Sequence, residues 1–207
     1  MNIIVCIKQV PDTTEIKIDP ATNTLIREGV ESIINPFDLY AIEEAVRLKE
    51  QFGGTVTAVT MGPPQAEVAL RDAVALGVDK IILLSDRKFA GADTWATSLT
   101  LAGAVKKIAD YDLVLFGQQA IDGDTAQVGP GVAAHLDLPQ VCFVRKIEKI
   151  EADTVVLQRL MEDGYDRLQI KMPAVVTVVK EINTPRLPSH RGKKNARSVE
   201  LTVWNAQ

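Results

Sequence analysis

Asp112-Leu113-Val114-Leu115-Phe116-Gly117-Gln118-Gln119-Ala120-Ile121-Asp122-Gly123-Asp124-Thr125-Ala126-Gln127-Val128-Gly129-Pro130 is the stretch on which the reading of this chain turns. The strand-like run at 112–116, apolar from Leu113 onward, suits a strand buried on both faces, as in a parallel sheet. Glycines follow at 117, 123 and 129, where backbone can approach a ligand closely. Asp124 or Thr125 is placed to open a helix whose free N–H groups and positive dipole end favour phosphate. Thr125 and Gln127 add hydrogen-bonding side chains, and Asp122 or Asp124 is an alternative holder of a ribose hydroxyl. A plain glycine-rich turn closed by an Asp or Thr helix cap would use the same residues. The pattern is neither a Walker loop nor a GxGxxG fingerprint.

Working outward, similar apolar runs at 2–7, 55–60, 79–84 and 139–143 alternate with helical patterns. Asn35 reads as the N-cap of a helix from Pro36 to Glu50, with Ile42, Ala45 and Val46 at helical spacing. Pro63 and Pro64 open a second helix through Ala66, Leu70 and Val74, and Asp93 caps a third containing Leu99, Ala102 and Ile108. The expectation is an α/β fold with a doubly wound parallel sheet, Rossmann-like and suited to an adenine nucleotide. Its ligand crevice lies beyond the carboxyl ends of the strands, where the strand order reverses. Three loops then become candidate walls: Cys6-Ile7-Lys8-Gln9, Thr60-Met61-Gly62-Pro63, and Gly117 to Pro130.

Two segments depart from the alternation. Residues 11–30 read as a surface hairpin, with strands at 15–18 and 24–26, that interrupts the first crossover. After Cys142 the pattern becomes alternating, with strands at 155–160 and 167–170 joined at Asp163-Gly164, an antiparallel extension of the sheet. Residues 183–197 combine Pro185, Pro188 and Gly192 with Arg186, Arg191, Lys193, Lys194 and Arg197, and read as a loop or basic arm rather than core. The domain reading is therefore a nucleotide-binding unit with its extension at 1–182, and a recognition-like loop and basic C-terminal arm at 183–207.

A net charge of −4 over 207 residues argues against nucleic acid as the main partner. No apolar run is long enough to span a membrane, which predicts a cytoplasmic protein without membrane insertion. Cys6 and Cys142 lie in strand-like runs and read as reduced core thiols. No spacing suggests a metal site, and His135 reads as a helix-face residue rather than a base. The pairs Glu43-Glu44 and Glu162-Asp163 read as solvated surface. The residues alone therefore describe a nucleotide binder without catalytic side chains, and a free-standing nucleotide-binding regulator is one reading of it.

Val5 to Thr13, Asn35-Pro36-Phe37, Glu43 to Lys49, Met61-Gly62-Pro63, Gly117 to Pro130 and Asn183 to Pro188 together resemble the β subunit of electron-transfer flavoproteins, from Met1 to about Trp204. The resemblance implies an α subunit carrying one FAD, with a second adenine nucleotide in this chain: AMP in simple one-electron shuttles, FAD in electron-bifurcating members. Cys6, Asn35, Met61, Gly117 and Gly123 to Val128 match the family's nucleotide contacts. Their neighbours Ile7, Lys8, Phe37, Asp38, Thr60, Gly62, Gln118, Gln119, Ala120, Asp122 and Gly129 complete the expected cofactor site. Simple shuttles usually carry a second aspartate where this chain has Gly123, so the loop looks like that of the bifurcating group. That group takes electrons from NADH and divides them between the α-subunit FAD, which serves a flavin dehydrogenase, and ferredoxin or flavodoxin. Oxidoreductase activity would then belong to the complex, not to this subunit alone. The segment at 183–189 resembles a recognition loop in which an exposed leucine anchors the dehydrogenase; Leu187 stands at that place, flanked by Arg186 and Pro188. Family chains continue past the equivalent of Trp204 into an arm that wraps the α subunit, whereas this sequence stops at Gln207.

Overall fold

The computed structural model describes residues 1–12 and 32–206. The expected hairpin strands at 15–18 and 24–26 lie outside the described residues. The described residues on either side of that segment pair, β2 (Gln9–Pro11) antiparallel with β3 (Ser32–Ile34).

β1 (Asn2–Cys6) stands inside a nine-stranded sheet. On one side come β4 (Thr55–Met61), β5 (Lys80–Leu84) and β11 (Leu201–Trp204); on the other come β6 (Leu113–Gly117), β10 (Ala174–Val178) and β7 (Gln140–Glu151). These seven run parallel, and β8 (Thr154–Met161) and β9 (Gly164–Lys171) add the expected antiparallel extension. The chain builds outward from β1 to β5, then returns to the far side of β1 as β6. That reversal opens the crevice between the β1 and β6 loops.

Both sheet faces are covered, which explains the nearly continuous apolar strands. Ile3 and Val5 point into one cluster with α1 (Pro36–Phe52) and α2 (Glu67–Leu76). Ile4 and Cys6 point into the other with α3 (Thr94–Ile108) and α4 (Val128–Leu136). Asp93 caps α3 as expected, its carboxylate accepting from Ala96 N–H at 2.8 Å. No helix among the described residues is long and apolar enough to cross a membrane.

Several expectations need correction. The fourth helix begins at Val128, not near Asp124 or Thr125, because Asp124 and Ala126 hold φ of 52° and 53°, outside the right-handed helical region. Residues 174–178, not assigned to a strand, form β10 and pair with both β6 and β7. The basic segment is not an irregular arm throughout. His190–Ser198 forms α5, which sets Gly192 and Ala196 against α2, and β11 then pairs with β5. Cys142 is only half-buried, although both cysteines are free as expected. Glu43 and Glu44 are buried rather than solvated, because residues 183–186 lie over them.

Candidate functional site

A cleft of about 370 Å³ opens at the carboxyl ends of β1, β4 and β6, within the ~300–1,000 Å³ typical of small-molecule sites. Of the residues singled out above, Cys6, Ile7, Lys8, Asn35, Asp38, Met61, Gly117 to Ala120 and Gly123 to Gly129 line it. Phe37, Thr60, Gly62 and Asp122 do not. Thr60 is fully buried, and its hydroxyl donates to Ile7 O at 2.8 Å, fixing the β1 loop from behind. Asp122 instead accepts from Lys8 Nζ at 2.6 Å across the mouth of the cleft.

Asn35 occupies the N-cap position of α1, yet its side chain caps nothing. It reaches across to the β6 loop, donating to Gln119 O at 2.8 Å and accepting from Ile121 N–H at 3.1 Å. One buried amide therefore fixes a loop more than eighty residues away. Gln119 in turn donates to the Asp124 carboxylate, and Asp124 N–H donates to Ala120 O at 2.9 Å. The loop is thus shaped before any ligand arrives. Its two non-glycine residues with positive φ belong to the strained class that recurs at ligand clamps.

Two close approaches explain two of the glycines. A Cβ on Gly117 would stand 2.4 Å from Asp38 Oδ1 and 2.6 Å from the Phe37 carbonyl carbon, so the first turn of α1 packs directly on the end of β6. A Cβ on Gly129 would stand 2.7 Å from Thr177 Cγ2 of β10, so α4 enters tight against the sheet. Among the described residues no side chain caps the N-terminus of α4, and Gln127, Val128 and Gly129 line the cleft. Helix-start N–H groups with a positive dipole end suit a phosphate there.

A further wall was not anticipated: Ala92, Asp93, Thr94, Thr97 and Leu101 from the start of α3, with Phe116 of β6. The Asp93 cap marked that helix start in the sequence. Extending the crevice rule to the loop after the third strand would have included it. His135, on α4, packs edge-to-face against Trp95 of α3 with ring centroids 4.6 Å apart.

Burial pushes the Asp38 carboxyl up to about 7, against hydrogen bonds from Asn35 and from the Lys8 and Gly117 backbone that favour its charged form. Burial, with the nearby Asp38 charge, also pushes the Cys6 thiol up, so it remains protonated at neutral pH. Because the folded-state value of Asp38 is raised, its contribution to stability is fully present below pH ~4 and is lost as pH rises through ~7, by about 4 kcal/mol at most. Asp38→Asn removes that titration. The thermal midpoint of the wild type should fall relative to the variant between pH 4 and 8, whatever constant offset the amide introduces. A pH-independent difference would exclude the titration.

The electron transfer flavoprotein domain model matches residues 22–207. The electron transfer flavoprotein subunit beta of Thermoanaerobacterium thermosaccharolyticum is 59% identical over 196 residues, covering 95% of this chain and 75% of that protein. Its namesake in Clostridium acetobutylicum is 53% identical over 206 residues, covering 100% and 79%. The caffeyl-CoA reductase-Etf complex subunit CarD of Acetobacterium woodii is 53% identical over 206 residues, covering 99% and 78%. The likeness runs through every strand and helix that builds the cleft, and the chain belongs to the electron transfer flavoprotein family, as a β subunit.

Proposed function

We propose that this β subunit holds FAD in the cleft. With an α subunit it takes electrons from NADH and divides them between the α-subunit FAD, on to an acyl-CoA or similar dehydrogenase, and a low-potential acceptor such as ferredoxin or flavodoxin. The observation that carries this reading is Gly123. Its position is open: among the described residues only Lys8 Nζ, at 4.0 Å, comes near the place a Cβ would occupy. The mouth of the cleft therefore keeps the Lys8–Asp122 ion pair beside the uncapped start of α4, with the Asp124 carboxylate accepting from Gln119. Residues 123–129 would hold the phosphates, with Asn35 fixing the loop and the Cys6 thiol and Met61 offering a weak donor and an apolar contact.

FAD, when bound, supplies hydride acceptance and the onward release of single electrons; the chain supplies position and electrostatics. In the same reading, residues 1–182 serve the nucleotide, residues 183–207 serve docking, and the complex works in the cytoplasm. AMP is the second reading, favoured by a cleft volume near the low end of the small-molecule range, and it would make the subunit part of a simple one-electron shuttle. The two predict different couplings. Under the first, NADH reduces ferredoxin through the heterodimer only while the dehydrogenase and its oxidised substrate are present to take the other electron. Absence of ferredoxin reduction under those conditions would favour the shuttle.

A further inference from the structure

The Glu43 to Lys49 motif takes no part in the cleft, yet Tyr40, Glu43, Glu44, Arg47 and Glu50 recur at the three- and four-residue spacing of one helix face. Residues 183–186 lie along that stripe. Asn183 Nδ2 donates to Tyr40 O and to Glu44 Oε2, each at 3.0 Å. Arg186 donates to Glu43 Oε2 from its backbone N–H at 3.1 Å and from Nε at 2.7 Å. Its Nη1 and Nη2 reach the two oxygens of Glu50 at 2.6 and 3.0 Å. Arg47 Nε donates to the other oxygen of Glu43 at 2.7 Å, so two guanidinium groups share one carboxylate. Burial opposes the Glu43 charge, but hydrogen bonds from Arg186 and Arg47 hold its carboxyl below the ordinary range.

A second anchor follows at once. Ser189 Oγ accepts from Gly192 N–H at 2.9 Å and caps α5, and Gly192 packs so closely on α2 that a Cβ would stand 2.2 Å from Ala75 O. Between the two anchors stand Leu187, 87% exposed, and Pro188, whose ring fixes φ. A lone exposed leucine is ordinary. One held on both sides, by a bidentate ion-pair fork and by a capped, packed helix, has lost its freedom before a partner arrives. Arg191, Lys193, Lys194 and Arg197 of α5 are exposed nearby, so the surrounding surface is basic.

We infer that Arg186 is a positioning residue: gripped by Glu43 and Glu50, it presents Leu187 in a fixed pose to a protein partner whose docking surface is an apolar socket edged with carboxylates. The inference rests on the reading of Leu187 as the dehydrogenase anchor. Replacing the fork releases the loop without touching the leucine.

The test uses the αβ heterodimer with an acyl-CoA dehydrogenase as acceptor. It compares Leu187→Ala, Arg186→Ala, Arg186→Lys and the double variant Glu43→Gln/Glu50→Gln. Amide hydrogen exchange at Arg186 and Leu187 should speed by about tenfold or more in Arg186→Ala and in the double variant, with Arg186→Lys between them and wild type. In the same variants the KM of the dehydrogenase for the heterodimer should rise about fivefold or more at unchanged kcat, and Leu187→Ala should raise it at least as far without altering exchange at Arg186. Unaltered exchange, or fast exchange with unaltered KM, overturns the positioning role while a Leu187→Ala defect leaves the docking reading standing. An unaltered KM in Leu187→Ala removes the docking reading and the inference with it. Wild-type KM should rise with ionic strength; a salt-independent KM contradicts the acidic rim.

Discussion

Gly117→Ala is expected to empty the cleft and destabilise the subunit by about 3 kcal/mol or more, at the upper end of overpacking effects. The backbone conformation is not the obstacle, since Gly117 does not occupy the left-handed region. The obstacle is space: a Cβ there would meet the Asp38 carboxylate at 2.4 Å and main-chain atoms of Phe37 and Asp38 at 2.6 and 2.7 Å. Main chain at the start of a 17-residue helix cannot swing aside as a side-chain tip can. Relief requires α1 to move off the end of β6, which would also pull Asn35 away from Gln119 and Ile121. Thermal midpoint and nucleotide content of the purified heterodimer should therefore fall together. Wild-type values for both would show that the contact relaxes locally.

Gly123→Asp is expected to lower FAD occupancy of the β subunit below half and NADH-driven ferredoxin reduction by about a hundredfold, which corresponds to roughly 2.7 kcal/mol. A carboxylate at this position would repel an approaching phosphate directly. The structure adds Lys8, whose Nζ stands 4.0 Å from the Cβ position and already pairs with Asp122 at 2.6 Å. The Asp124 carboxylate already lines the cleft, so a further carboxylate beside the Lys8–Asp122 pair makes the mouth more negative still. Two unit charges 4 Å apart interact by about 4 kcal/mol at an effective dielectric of 20, so the added charge matters to an entering phosphate. The pyrophosphate of FAD and the monoester phosphate of AMP carry nearly the same total charge at pH 7, so the discrimination rests on reach: the longer ligand must pass the mouth, a phosphate seated deeper does not, and AMP should survive the substitution better than FAD. Full retention of β-subunit FAD with ferredoxin reduction within about twofold of wild type would show that the mouth's charge does not select the ligand.

The parts of the fold legible in the sequence are those where local pattern and tertiary role agree. The apolar runs of β1, β4, β5 and β6 are buried on both faces, and the Asp93 cap starts α3 where its carboxylate is free to bind Ala96 N–H. The glycine loop after β6 marked the crevice because strand order alone puts that loop opposite the β1 loop. Misreadings arise where distant partners redirect a locally ordinary residue. Asn35 looks like a cap and is used as a clamp. Glu43 and Glu44 look like a solvated pair until residues 183–186 cover them. α5 has little helix propensity around Gly192, and forms because Gly192 and Ala196, four apart, let it settle on α2. β10 lies in a run at 174–179 that is apolar but for Thr177, and its insertion between β6 and β7 depends on long-range pairing that no local window contains.

The most direct test of the central claim is the identity of the nucleotide released when the purified αβ heterodimer is denatured. The proposed function predicts two FAD and no AMP per heterodimer, with the second FAD lost selectively in Gly123→Asp. One FAD and one AMP per heterodimer would contradict it, and would make this subunit the AMP-binding half of a one-electron shuttle.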